Sequence, residues 1–144
     1  APVYIPSLIN PEACFPGAPD GKVRIIGGTA GDVIKVKILY SGSVGTDGAA
    51  YNVQATAQIN SQGPSSVCFD KNTGSRPFSL SGNVTITLTG SSMDVNTSIY
   101  YANGTSFILF DKYVQIVEYN GLAVDGDKLT TICTGNSGGS TSCG

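Results

Sequence analysis

The sequence predicts an all-β protein, an immunoglobulin-like or pilin-like β-sandwich of about eight strands preceded by an N-terminal arm. No segment keeps an apolar repeat of 3.6 residues, whereas several short segments alternate between apolar and polar residues. β-Branched residues and glycine are abundant, and turn-forming residues separate the alternating segments at regular spacing, a pattern typical of sandwiches. The 144 residues are most simply one domain.

The arm is an uncharged, mostly apolar stretch at the start of the chain. A Pro/Gly-rich segment follows it, so we divide the chain into an arm at 1–13 and a globular β-sandwich domain at 14–144. As a strand, the arm places Val3, Ile5 and Ile9 on one face. Burying that face requires a sheet, either the chain's own, with the arm as an ordinary first strand, or that of a neighbouring copy.

Two prolines restrict how the arm can pair. Pro2 and Pro6 lack N–H groups and lie on the same edge of the strand. The arm therefore pairs fully along one edge only, which also allows a position at the margin of a sheet.

The predicted strands of the body follow in order. They are residues 22–26, 32–40, 51–59, 66–69, 83–89, 93–101, 107–119, 124–128 and 129–134. In the strand at 32–40 the even-numbered residues face the core and the lysines face solvent. In the strand at 83–89 the apolar residues at 84, 86 and 88 face the core.

Three turn signals connect these strands. Asp47-Gly48 predicts a hairpin, and Asn103-Gly104 predicts a type I′ turn. Asp125-Gly126-Asp127 also reads as a turn; it could be half of a calcium loop, but the rest of such a loop is missing. We therefore predict no metal site.

Cys14, Cys68, Cys133 and Cys143 predict two disulfides in an oxidising compartment. Their spacing and the absence of histidine argue against a metal site. Four cysteines allow three pairings, and the sequence does not choose among them. The favoured pairings are Cys14–Cys68, which would fix the root of the arm, and Cys133–Cys143, which would close a short loop.

Several features predict an extracellular protein. The chain begins at Ala1 without an initiator methionine, as expected after removal of a signal peptide, and no apolar run reaches the length of a membrane helix. Asn83, Asn96 and Asn103 each begin an N-glycosylation triplet. Three such triplets close together predict a glycosylated face.

The composition argues against several functions. Only 12% of the residues are charged and the net charge is −2, so we expect no nucleic-acid partner. Without histidine the usual catalytic triads are impossible, and no pair of carboxylates has a spacing that requires catalysis. We therefore expect no enzyme and no cofactor. The few carboxylates also predict a fold that tolerates acid.

A monomeric, secreted glycan-binding or adhesin domain is the alternative. Such a domain usually exposes aromatic rings for stacking on sugars, and this chain has no tryptophan. Tyr100, Tyr101, Tyr113 and Tyr119 could form such a surface, although tyrosines in alternating strands more often pack at sheet faces.

The apolar arm, the small sandwich, the cysteines, the clustered sequons and the surface poor in charge together resemble the subunit of the extracellular thread filaments of thermoacidophilic archaea. The resemblance implies an N-glycosylated cell-surface filament in which each subunit inserts its N-terminal strand into the next, giving a head-to-tail homopolymer. It implies glycans on Asn83, Asn96 and Asn103, and a role in adhesion, biofilm formation or contact with other cells and their surface glycans. It also implies that the donor strand consists of Val3, Tyr4, Ile5, Leu8 and Ile9. An arm folded back onto its own body, with no partner chain, would count against this interpretation.

Overall fold

The computed structural model describes residues 5–9, 20–59, 62–100, 106–130 and 143. Nine strands lie in these ranges, and the ranges contain no helix. The strands are β1 (Ser7–Ile9), β2 (Asp20–Ile26), β3 (Val33–Gly45), β4 (Val53–Ile59), β5 (Gln62–Phe69), β6 (Ser75–Thr87), β7 (Ser92–Tyr100), β8 (Ser106–Tyr119) and β9 (Leu122–Ala123). The prediction of an all-β protein is confirmed.

The strands form two antiparallel sheets that pack as a sandwich. Sheet A has the order β1-β2-β7-β4-β5, and sheet B has the order β6-β3-β8-β9. The pairing is nested, since β2 pairs with β7, β3 with β6, and β4 with β5. β1 and β5 therefore form the two margins of sheet A, while β6 is one margin of sheet B.

Strict alternation along the strands builds the core between the sheets. In β3 every even-numbered residue from Ile34 to Val44 is buried, and the lysines of this strand lie on the outer face, as predicted. Val84, Ile86 and Leu88 point inward, also as predicted. The buried polar residues of the described part are Thr46, Thr97 and Gln115, none of which is charged.

Two bulges interrupt the pairing of β8 with β3. The register shifts between Lys35 and Val36 and between Ser41 and Gly42, which leaves Val117 and Phe110 of β8 without opposite residues. The Phe110 side chain is 74% exposed.

Several predicted boundaries are wrong. β3 continues through the Ser/Gly segment to Gly45, because Gly42 and Val44 keep the inward alternation. Asp47-Gly48 forms a turn, with the Ala49 N–H donating to the Thr46 carbonyl at 3.0 Å, but it is not a hairpin turn. The strands on either side of it lie in different sheets.

Two further differences concern proline-containing segments. Pro64, predicted in a turn, lies in β5 at the margin of sheet A, and Pro77, predicted in a loop, lies in β6 at the margin of sheet B. A marginal strand tolerates proline because one side of its backbone needs no partner. The predicted strand at 124–128 is instead an irregular segment along β8, and only Leu129 forms a bridge there, with Val114.

The favoured disulfide pairings are wrong, because Cys68 pairs with Cys143. Their Cα atoms lie 5.9 Å apart although 75 positions separate them in sequence. The Cys143 N–H also donates to the Asn52 carbonyl at 3.2 Å, so the C-terminus returns to the β4–β5 margin of sheet A. Short sequence distance was a poor guide to the partner of Cys143. Cys14 and Cys133 lie outside the described residues.

Candidate strand-docking site

The described part of the arm forms β1, which lies at the margin of sheet A on the chain's own β2. The pairing is antiparallel, with Ser7 opposite Ile26, Leu8 opposite Ile25 and Ile9 opposite Arg24. In this single copy the arm thus folds back onto its own body. Val3 and Tyr4, predicted as part of the donor strand, lie outside the described residues.

The face of the arm that points inward is the even-numbered one, contrary to our prediction. Pro6 is buried and Leu8 packs half-buried against the core, whereas Ser7 and Ile9 are exposed. The arm adopts this orientation because its register places Leu8 opposite Ile25, whose side chain is in the core. In an antiparallel pair, opposite side chains share a face.

A close approach of backbone to side chain fixes the position of Pro6. A Cβ at Gly28 would overlap the Cδ1 atom of Leu88 and lie 3.6 Å from the Cγ atom of Pro6. Only glycine fits there, so Gly28 allows the arm to lie against Leu88 at the end of the sandwich.

The arm occupies the gap between the two sheets. A cavity of about 90 Å³ is enclosed by residues 5–8 of the arm on one side and by Ile116 and residues 125–127 on the other. The arm therefore closes the open side of the sandwich without filling it.

Sheet B supplies its part of the gap through the segment that follows β9. The Gln115 Nε2 donates to the Asp125 Oδ1 at 3.1 Å and to the Gly126 carbonyl at 2.8 Å. The Gly126 N–H donates to the Ile116 carbonyl at 3.1 Å. Asp125-Gly126-Asp127 is thus a turn held against β8 by hydrogen bonds. The described residues contain no cluster of three potential metal ligands.

The self-pairing of the arm uses only part of the available edge. β2 has seven residues, and β1 pairs with its last three, Arg24 to Ile26. Within the described part of the chain, Asp20 to Val23 have no partner on that edge. β2 ends at Ile26, so it offers no partner to arm residues that precede Ser7.

Comparison with known protein families, with curated proteins and with solved structures found no match. The described part of the chain also contains no helix that could span a membrane.

The two described sequon asparagines are exposed but do not share a face. Asn83 lies on β6 in sheet B, and Asn96 lies on β7 in sheet A. Their neighbours Val84, Val95 and Thr97 point into the core, so both asparagines point outward, on opposite sides of the sandwich. The expectation of one glycosylated face is wrong for these two residues. Asn103 lies outside the described residues.

The tyrosines proposed as a sugar-stacking surface are engaged elsewhere where they are described. The Tyr113 ring is 7% exposed, and the ammonium groups of Lys128 and Lys37 lie 4.7 and 5.8 Å from its centroid. The Tyr119 hydroxyl donates to Asp32, and this hydrogen bond raises the pKa of Tyr119 above its usual value, with burial and the Asp32 charge acting in the same direction. Nothing is described of the Tyr100 side chain or of Tyr101.

Sequence reasoning missed an exposed apolar pair on β8. Phe110 is 74% exposed and Ile108 is 56% exposed. Alternation alone would place one face of β8 outward, but the bulge at Phe110 is a feature of the register and has no signal in the sequence.

Proposed function

We propose that this chain is a structural subunit of an extracellular, cell-surface filament, and that it polymerises head-to-tail by exchanging its N-terminal strand with a neighbouring subunit. The observation that carries the proposal is the partial pairing of the arm, which uses three of the seven residues of β2. A strand contributed by another subunit is free of the connection that limits pairing in the same chain, so it can extend along the unpaired part of β2.

Exchange of this strand costs little in contacts. A copy of Leu8 from a neighbour would make the contact with Ile25 that the chain's own Leu8 makes now. Any additional large apolar side chain buried on the way contributes about 1.5–3 kcal/mol. The contact is head-to-tail, so repeated exchange gives a filament instead of a closed dimer.

The self-paired arm has a role in this scheme. It covers the edge of β2 in the isolated subunit, and an uncovered edge is prone to non-specific association. Polymerisation then requires release of a strand of three residues, Ser7–Ile9, which is a small element to displace.

Cysteine cross-linking tests the exchange directly, because Ser7 lies opposite Ile26. The variants Ser7→Cys and Ile26→Cys are prepared separately, mixed under polymerising conditions and oxidised. A covalent heterodimer joining residue 7 of one copy to residue 26 of another is expected. Lys71→Cys, in the turn after β5, replaces Ile26→Cys in the matched control and should give no specific product.

Two results would overturn the proposal. One is the absence of the heterodimer in the mixture while the double variant closes a cross-link within each chain. The other is the formation of long filaments by a chain lacking residues 1–10, seen by negative-stain imaging.

The alternative, a monomeric glycan-binding or adhesin domain, has one observation in its favour. The Phe110 ring is 74% exposed beside Ile108, on a strand whose neighbouring outward residues include Ser43. A ring in that position can stack on a sugar. Glycan-array binding that is lost in Phe110→Ala, by a chain that remains monomeric, would favour this function.

A further inference from the structure

The margins of the two sheets differ in how they are protected against pairing with another chain. In sheet A, β1 has three residues, and β5 contains Pro64 and is tied to the C-terminus through Cys68–Cys143. Short strands, prolines and covering segments are the devices that keep marginal strands from pairing.

The β8–β9 side of sheet B is protected in a similar way. β9 has two residues, and the N–H groups of Val124, Gly126 and Leu129 donate to carbonyls of β8. The first half of β8 contains the bulge at Phe110, which bends a strand and disrupts a flat edge.

β6 lacks comparable protection over most of its length. It has thirteen residues, all of them paired with β3 on one side. On its other side no strand of the described part pairs with it. Pro77 interrupts the edge near its start, which leaves a continuous run from Phe78 to Thr87.

Charge does not guard this run either. The only charged residue of β6 is Arg76, whose guanidinium lies 4.9 Å from the Phe69 ring centroid and donates to the Asp70 carbonyl at 3.4 Å. The outward positions after Pro77 are Ser79, Ser81, Asn83, Thr85 and Thr87. A segment of high β-propensity without charge or proline is the composition of strands that aggregate.

We propose that an N-linked glycan on Asn83 guards the open edge of β6. Asn83 lies within the unprotected run, its side chain is exposed, and Thr85 of its sequon is exposed on the same face. A hydrated oligosaccharide at this position excludes the volume in which another strand would have to lie, about 4.8 Å from β6.

The modification itself is a glycosyl transfer from a lipid-linked oligosaccharide diphosphate. The Asn83 Nδ2 forms a bond to the anomeric carbon, the bond from that carbon to the diphosphate oxygen breaks, and the lipid diphosphate leaves with the bonding electrons. The amide nitrogen loses one proton.

Asn96 provides an internal comparison. It begins the same kind of sequon and is exposed, but it lies on β7, which has β2 on one side and β4 on the other. A glycan there covers the face of a sheet and guards no edge. The two sites therefore separate protection of an edge from a general effect of glycosylation on solubility.

The test uses the full-length chain secreted from a host that N-glycosylates, with site occupancy measured by mass spectrometry of glycopeptides. Asn83→Gln and Asn96→Gln each remove one site. Asn83→Asp also removes the site but places a charge on the edge, opposite Lys37. Far-ultraviolet circular dichroism and the presence of the Cys68–Cys143 peptide verify folding. Thioflavin T fluorescence and sedimentation measure cross-β aggregation and distinguish it from polymerisation through the arm.

We expect Asn83 to be occupied, and Asn83→Gln to lose soluble protein to thioflavin-positive aggregate while Asn96→Gln stays soluble. Asn83→Asp should recover most of that loss, because a charge replaces the glycan as the guard. An unoccupied Asn83 overturns the proposal. So does equal solubility of the two glutamine variants, or aggregation of Asn83→Asp to the extent seen in Asn83→Gln.

Discussion

Leu8 of the arm lies opposite Ile25 of β2, and both side chains pack against the core between the sheets. Leu8 is half-buried, whereas its neighbour Ile9 is 39% exposed. These two adjacent residues therefore differ in what they contribute to the seating of the arm.

Replacing Leu8 by alanine should lower the free energy of unfolding of the isolated subunit by about 1–2 kcal/mol, below the cost at a fully buried leucine. Ile9→Ala should change it by less than about 0.5 kcal/mol, because the exposed side chain buries little surface. Urea unfolding of both variants checks this difference. Equal effects would show that Leu8 is not packed in the isolated subunit.

The same alternation explains why much of the fold could be predicted and part of the arm could not. In β3, large apolar residues at every second position identify the core face without ambiguity. In the arm, prolines and isoleucines occupy both faces, so the side chains alone favoured the wrong one. The register with Ile25 decides the orientation, and register is a tertiary property.

The remaining differences share a physical cause. The segments at 41–45 and 75–82 are rich in serine and glycine and read as loops, yet they form parts of β3 and β6. They pair with each other over their full length, and this cross-strand pairing overrides their weak β-propensity. The partner of Cys143 depends likewise on where the chain returns in space, which spacing in sequence does not encode.

Loss of the Cys68–Cys143 disulfide should destabilise the protein substantially. The bond joins residues 75 positions apart, and a loop of that size corresponds to about 3–4 kcal/mol in the chain-entropy account. The double variant Cys68→Ser/Cys143→Ser, compared with the oxidised protein by urea unfolding, measures the effect. Non-reducing peptide mapping is the control, and a Cys133–Cys143 peptide would contradict the structure.

Thr97 offers a stabilising substitution. Its side chain is fully buried, and its hydroxyl has no hydrogen-bond partner among the described residues. Thr97→Val keeps the shape and removes the unsatisfied hydroxyl, so the free energy of unfolding should rise by about 1 kcal/mol. The sequon at Asn96 is preserved, because its middle position accepts valine.

Thr97→Ser is the matched control, since it keeps the hydroxyl and deletes the methyl group. It should destabilise by about 1 kcal/mol. A valine variant less stable than the parent protein would reveal that the hydroxyl has a partner, such as a buried water molecule.

The fold should remain intact in acid. The ion pairs Arg24–Asp94 and Lys35–Glu118 have side chains exposed by about a third, so each contributes little. The buried polar residues of the described part carry no charge, and their protonation cannot change there. Circular dichroism between neutral pH and about pH 3 should show no cooperative unfolding. A transition in that range would mean that carboxylates stabilise the fold more than these contacts indicate.

Alkaline pH should have a specific effect through Tyr119. Its hydrogen bond to Asp32 raises its pKa in the folded state above 10.0, the ordinary value. The folded state therefore favours the protonated phenol, and this contribution to stability is complete below about pH 10 and is lost as the pH rises through the higher folded pKa. Tyr119→Phe lacks the hydrogen bond at every pH. The stability difference between the parent protein and Tyr119→Phe should thus be largest near pH 8 and shrink above about pH 10. Tyr51→Phe, in the bend before β4, is the matched control and should show a difference independent of pH. If the Tyr119→Phe difference is also constant with pH, the Tyr119–Asp32 hydrogen bond does not stabilise the fold in solution.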